Sequence, residues 1–241
     1  MKWNTAISTK KDGALFIRGH ALSSLMEEKT FSEVTYLLLS NRLPTPPEHT
    51  LFTMLLVACI EHGIEAPSDF VPRVSISVGN PMNVAMAAGL LAVGDWHGGA
   101  AEELARLLQT PASASEIVAH TLAAGARLQG FGHKLYKDSD PRAEALLQKA
   151  ASLGLATSFV EKARALEHEL EAQSGTHLPI NIDGALAACM CELGLDWRLG
   201  KALFGFARMP GMMAHALEEK TREKPYRRLD EDEVSYDGPT F

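Results

Sequence analysis

Gly130-Phe131-Gly132-His133-Lys134-Leu135-Tyr136-Lys137-Asp138-Ser139-Asp140-Pro141-Arg142 is the stretch on which the reading of this chain turns. Glycines at 130 and 132 frame a histidine and let the backbone approach a ligand closely. An imidazole in such a loop can exchange a proton near neutral pH. Lys134, Lys137 and Arg142 supply positive charge for phosphate or carboxylate, Arg142 with a two-pronged fork. Alone, the stretch reads as a basic surface loop with an ordinary histidine. Two further segments change that reading: Asp95-Trp96-His97-Gly98-Gly99-Ala100 upstream and Leu178-Pro179-Ile180-Asn181-Ile182-Asp183-Gly184-Ala185 downstream.

The rest of the chain bounds the answer. Its 241 residues suffice for one substantial core or two connected lobes. Apolar residues make up 46% and charged residues 22%, as in soluble globular proteins. No apolar run reaches the roughly 18 residues of a membrane span. The longest, residues 51–60, reads as a buried helix. Cys59, Cys189 and Cys191 have no metal-like spacing and read as buried thiols of a reducing compartment. Met1-Lys2-Trp3-Asn4-Thr5 lacks the apolar core of a secretory signal, so a cytoplasmic protein is expected. The net charge of −7 argues against a nucleic-acid partner. An anionic small molecule stays possible, because the basic groups at 134–142 and 222–228 act at contact range.

Helical periodicity dominates. Residues 31–39 and 48–62 carry it, separated by Pro44, Pro46 and Pro47. Residues 81–93 end at Gly94, a helix stop. Residues 99–108, 114–128, 143–153, 158–171, 184–193 and 199–219 continue the pattern, the last with a potential break at Met209-Pro210-Gly211. Strand-like alternation is confined to residues 73–78. The last fourteen residues read as a polar, extended tail.

With the three motifs in this order, the chain resembles the citrate synthase family. That family's pattern is H-G-G-A or H-G-x-A, then G-[FY]-G-H followed by D-P-R, then P-N-[VI]-D. Here these read His97-Gly98-Gly99-Ala100, residues 130–142, and Pro179-Ile180-Asn181-Ile182-Asp183. The likeness begins near Phe16-Ile17-Arg18-Gly19 and reaches Tyr236-Asp237-Gly238. It implies an all-α fold with a large helical domain, residues 1–97 and 184–241, and a smaller helical domain, residues 98–183, that closes over the site. His97 and Asp183 then stand at the two crossings, where hinge closure can complete a site. At this length the chain is closer to the citryl-CoA-cleaving module of ATP-citrate lyase than to full-length citrate synthases.

Carbon–carbon bond chemistry on an acyl-CoA needs a base for a weakly acidic methyl, a donor for the enolate oxygen and an acid for the acceptor carbonyl. By resemblance Asp183 is the carbon base, His97 donates to the thioester oxygen and His133 works at the alkoxide oxygen, with no metal. Each has a plainer reading: Asp183 as a helix cap, His97 as a buried histidine, His133 as a loop histidine at a phosphate site. The joint pattern favours catalysis. The resemblance assigns His62, Arg142 and Arg208 to substrate carboxylate or hydroxyl. Against this, His62 could face a helix dipole and Arg142 could cap the Asp140-Pro141 turn. A coenzyme A thioester would lie against Arg127, Gly130, Phe131, Gly132, Lys134 and Lys137. Two departures from the family stand out. Gly175-Thr176-His177 lacks the lysine often found there, and Lys224-Pro225 replaces Arg-Pro, so Arg227 or Arg228 is expected to reach a partner subunit's site in a homodimer.

The leading expectation is cleavage of citryl-CoA to acetyl-CoA and oxaloacetate. The alternative is a citrate or 2-methylcitrate-type synthase, condensing an acyl-CoA with a 2-oxo acid. A non-catalytic acyl-CoA-binding subunit ranks below both, because His97, His133 and Asp183 are all present.

Overall fold

In the computed structural model, which describes residues 2–239, an antiparallel sheet precedes the helices. Strands β1 (Ser8–Lys11), β2 (Ala14–Ile17) and β3 (His20–Ala21) pair in chain order, with Thr9 opposite Phe16 and Phe16 opposite Ala21. The sequence reading passed over this sheet because β1 is exposed throughout and carries no apolar alternation. The usable signal lay in the turns. Asp12-Gly13 and Arg18-Gly19 all take positive φ, as two-residue hairpin loops require. Residues 73–78, expected to alternate like a strand, belong instead to a helix or its cap.

The packing divides the chain into two compact units. The first comprises Met1–Cys59 and Gly98–Phe204. It holds the sheet with α1 (Leu22–Glu28), α2 (Phe31–Ser40), α3 (Pro46–Ala58), α6 (Ala100–Leu108), α7 (Ala114–Ala123), α8 (Pro141–Ser152), α9 (Ser158–Ser174) and α10 (Ile182–Glu192). Helix α10 is the centre of this unit. Gly184 through Cys191 are all buried, and the helix packs on α3, α6, α8 and α9. Its small side chains, Ala185, Ala187 and Ala188, permit that close approach on several sides at once. Three helix starts are closed by capping boxes, Thr30 with Glu33, Thr45 with Glu48 and Ser113 with Glu116. Arg42 holds Glu48 at 2.5 Å and, with the Thr45 bonds, keeps that carboxyl down at about 2.

The second unit comprises Ile60–His97 and Gly205–Phe241. It contains α4 (Pro67–Ser77) and α5 (Met82–Leu91). Helix α11 (Gly200–Arg222) begins in the first unit and supplies most of its length to the second. Ile76, Ala85 and Ala216 form a buried cluster joined by Met82. Gly89 sits where a Cβ would meet the Pro72 ring at 2.6 Å, so α4 and α5 touch nearly backbone to side chain. The break expected at residues 209–211 is absent: α11 runs through Pro210.

These bounds differ from the expected domains, 1–97 with 184–241 and 98–183. The packing crosses between units after residues 59, 97 and 204, and α10 stays with the first unit because it packs on α3, α6, α8 and α9.

Candidate active site

In the first unit the loop bearing His133 is stitched to the start of α10. Gly132 N–H donates to the Pro179 carbonyl at 2.8 Å, and Asn181 N–H donates to the Gly130 carbonyl at 3.0 Å. Asn181 uses its side chain twice. Its Oδ1 caps α10 by accepting from Gly184 N–H, and its Nδ2 donates to the Gly132 carbonyl at 2.9 Å. Gly130 and Gly132 take positive φ, 87° and 78°, and at Gly184 a Cβ would stand 2.3 Å from the Gly130 carbonyl oxygen. Asn181, not Asp183, is the cap. Asp183 therefore lies in the first turn of α10, half-buried, with its carboxylate acting on the Arg142 guanidinium.

His133 is half-buried and its ring stacks on Tyr136 at 4.7 Å between centroids. Its Nδ1 accepts from the backbone N–H groups of Leu135 and Tyr136, at 3.1 and 3.2 Å. Accepting at Nδ1 puts the ring proton of the neutral form on Nε2. Arg142 Nη2 lies 3.3 Å from that Nε2. The guanidinium can only donate, so this contact is a hydrogen bond when Nε2 is unprotonated and accepts. With the proton on Nε2 instead, the two groups present donors side by side, an arrangement suited to an anionic oxygen.

Arg142 is more committed than its sequence assignment implied. Its Nε and Nη2 form a fork on Asp140 at 3.0 and 2.9 Å, while Asp140 Oδ1 also caps α8 at Arg142 N–H. The Asp140-Pro141 turn is therefore capped by Asp140, with Arg142 clamped to it. Any substrate carboxylate would have to meet the outer Nη1/Nη2 edge. Asp140 is fully buried, and its other oxygen accepts from Ile182 N–H at 3.2 Å. Burial raises the Asp140 carboxyl, but the bonds from Arg142 outweigh it and hold the group below the usual carboxylate range. A second buried acid, Glu167, accepts from Ile180 N–H at 2.7 Å and fixes the strand-like segment before α10.

Arg127, Phe131, Gly132, His133, Lys134 and Lys137 share a cleft of about 530 Å³, lined also by Leu128, Leu170 and Leu178. Gly130 lies beneath it, sealed against Leu104 and Gly184. Positive side chains and apolar carbon lining one cleft suit a ligand with phosphate and a flat ring.

In the second unit His97 closes a tight turn, exchanging both backbone hydrogen bonds with Gly94. Its Nε2 accepts from Ser68 N–H at 3.3 Å, a first-turn amide of α4 that has no partner within its own helix. The imidazole is thereby held neutral with its proton on Nδ1. Burial, and then the nearby Arg208 guanidinium, push its pKa below the ordinary histidine value. A neutral imidazole offering Nδ1–H is a suitable donor to a developing enolate oxygen.

Arg208 is fully buried, bound through Nη1 to Asp69 at 2.9 Å and to Ser68 Oγ at 3.2 Å. Burial raises the Asp69 carboxyl despite that pairing. Arg208 thus braces the α4 start that holds His97, a role its sequence assignment to substrate did not foresee. His62 lies in the loop after α3. Arg227 is engaged by Glu219 at 2.7 Å, and with Arg228 it lines a separate cleft of about 410 Å³ beside Arg73 and Phe70. Glu61, Asp69 and His215 place ligand atoms within 4.8 Å of one another. Arg208 already supplies the positive charge at Asp69, and His215 bonds Glu61 directly.

Sequence reasoning missed Asp140, Glu167 and Ser68. Asp140 alone carried a signal, as an Asp-Pro pair in which Asp caps and Pro takes the first helical position. Glu167 and Ser68 act through partners that only packing brings near.

Comparison with known proteins places this geometry. The family model described as "Citrate synthase, C-terminal domain" matches residues 44–229. A solved citryl-CoA lyase from Hydrogenobacter thermophilus is 40% identical, with a TM-score of 0.94, covering 99% of this chain and 95% of that one. A citrate synthase from Thermoplasma acidophilum, solved with carboxymethyl coenzyme A and oxaloacetate, is 25% identical with a TM-score of 0.70, covering 88% and 58%. Citrate synthase 2 of Bacillus subtilis is 29% identical over 209 residues, 83% of this chain and 54% of that protein. The chain spans about half the length of the curated relatives it matches.

Proposed function

The chain belongs to the citrate synthase family, and on that premise we propose that it cleaves citryl-CoA to acetyl-CoA and oxaloacetate. The observation that carries this reading is the meeting of His133 Nε2 and Arg142 Nη2, 3.3 Å apart, with the Asp183 carboxylate acting electrostatically on the same guanidinium. The likeness to a citryl-CoA lyase over nearly the full length of both chains supports the direction.

Cleavage breaks the bond between the carbinol carbon and the methylene of the thioester arm. The electron pair passes to the methylene carbon and onto the thioester oxygen. His97, neutral with its proton on Nδ1, donates to that oxygen. Asp183 returns a proton to the carbon, giving the methyl of acetyl-CoA. His133 Nε2 takes the proton of the hydroxyl that becomes the carbonyl of oxaloacetate, while Arg142 donates to that oxygen as its charge develops. The cleft lined by Arg127, Lys134 and Lys137 takes the coenzyme A portion.

A second reading, condensation of an acyl-CoA with a 2-oxo acid, is favoured by one observation. In the tautomer with Nδ1 accepting from the backbone, His133 presents a donor at Nε2, the form that condensation uses. Cleavage requires the ring to accept at Nε2, which gives up those two bonds. Incubation with citryl-CoA, and separately with acetyl-CoA and oxaloacetate, followed by mass spectrometry, decides. Release of acetyl-CoA and oxaloacetate from the first supports the lyase. Free citrate accumulating from the second supports a synthase, and no turnover of either defeats both.

Assembly as a homodimer belongs to the same proposal. Helix α5 leaves Val84 and Leu91 exposed at 41% and 87%, apolar surface for a second copy. A monomeric mass by light scattering at micromolar concentration, with full activity, would contradict it.

A further inference from the structure

We infer that Asp140 is the positioning residue of the His133 site, a single buried carboxylate that orients both Arg142 and the first turn carrying Asp183. The inference rests on the proposed role of Arg142 toward a carboxylate or alkoxide oxygen.

The geometry is economical. One oxygen of Asp140 accepts from Arg142 N–H and Nε, both at 3.0 Å. The other accepts from Arg142 Nη2 at 2.9 Å and from Ile182 N–H at 3.2 Å. Four donors on one carboxylate satisfy it about as fully as a carboxylate can be. The side chain is completely buried, so no water competes for these positions. Arg142 itself is about one-third exposed and its outer edge remains presented beside His133. The fork therefore fixes the plane of the guanidinium without covering its working edge. Because Ile182 immediately precedes Asp183, the same carboxylate also ties α10 to the start of α8. A cap needs only one acceptor for Arg142 N–H, and Ser would provide it. A full carboxylate is needed only if the guanidinium and Ile182 N–H must be held as well.

That difference makes the inference testable without unfolding the protein. Asp140→Ser keeps the cap acceptor and removes the fork. Asp140→Asn keeps the shape but turns a donor toward Arg142 and Ile182. Each is compared with wild type by calorimetric binding of oxaloacetate and of coenzyme A, alongside a melting curve. Oxaloacetate binding should weaken about 10- to 100-fold in Asp140→Ser, as expected when a binding group is misplaced. Coenzyme A binding should change by less than about twofold, because its cleft is lined by other residues. Combining Asp140→Ser with Arg142→Lys should cost no more than Arg142→Lys alone, since one acts through the other. Wild-type affinity for oxaloacetate in Asp140→Ser, or losses that simply add in the double variant, would overturn the inference.

A ligand-free readout separates this from failure of the functional reading. In wild type the Arg142 Nε–H should give a slowly exchanging ¹⁵N–¹H signal at neutral pH, and Asp140→Ser should lose it. If no variant or wild type binds oxaloacetate, the proposed activity falls, and this signal still decides the positioning role. Its persistence in Asp140→Ser would overturn that role.

Discussion

A methyl group on Gly184 would stand 2.3 Å from the carbonyl oxygen of Gly130. That oxygen is already taken by Asn181 N–H at 3.0 Å. The first turn of α10 and the loop of His133 are thus pressed together at the one place where neither tolerates a side chain. Asp183 and His133 inherit their placement from this contact.

Gly184→Ala should therefore force the loop and helix apart. Overpacking of this kind costs about 1–3 kcal/mol. The expected result is a lower melting temperature together with a larger loss of turnover than stability alone explains. A variant with wild-type melting and wild-type turnover would show that the contact is dispensable.

Asp183→Asn should leave the fold intact, because Asn181 rather than Asp183 caps α10. Turnover should fall by roughly 100-fold or more, the usual scale for a lost general acid–base group. Exchange of the acetyl methyl protons of acetyl-CoA into deuterated water reports the step directly. Near wild-type exchange in the variant would remove Asp183 from the mechanism.

His97 gives a pH dependence of defined sign. Its pKa is lowered by burial and then by Arg208, so the unfolded chain binds the proton more readily than the folded one. Stability is then unaffected well above about 6.5, the ordinary histidine value, and declines as pH falls below it. His177, raised by its bond to Glu171, contributes in the opposite sense over neutral pH. The comparison of wild type with His97→Asn isolates the first effect. Denaturant melts between pH 5 and 8 should show a flatter acid side in the variant. Parallel curves would mean that His97 titrates alike in both states.

Cys189 and Cys191 are buried in α10 and burial first of all pushes both thiols up to about 12. Without thiolate they should react with iodoacetamide only when α10 opens. Labelling should track unfolding across a denaturant series, as read by intact mass. Rapid labelling of either residue in the folded protein would contradict its placement at the centre of the first unit.

Much of this protein is written locally. The capping pairs Thr30/Glu33, Thr45/Glu48 and Ser113/Glu116 sit three residues apart, and the helix periodicity repeats every three to four residues. The G-F-G-H loop and the P-N-I-D segment were legible through their order with His97-Gly98-Gly99-Ala100, which carries the family resemblance, rather than through local physics. The sheet was not, since exposed strands lack an apolar face and only the Asp12-Gly13 and Arg18-Gly19 turns betray it.

By itself, then, the sequence determined the helices, the turn chemistry, and the candidate residues for carbon–carbon chemistry on a thioester. Only the tertiary structure decided how those residues are held. Arg208 and Asp69 are 139 positions apart, and nothing near either predicts that they pair in a fully buried site and brace His97. Arg142 reads in sequence as a fork for substrate, but its fork closes on Asp140, a carboxylate that also accepts from Ile182 N–H. The physical reason is range. Helix propensity and capping depend on neighbours within about one turn, whereas a buried charge is settled by whichever partner packing delivers to it.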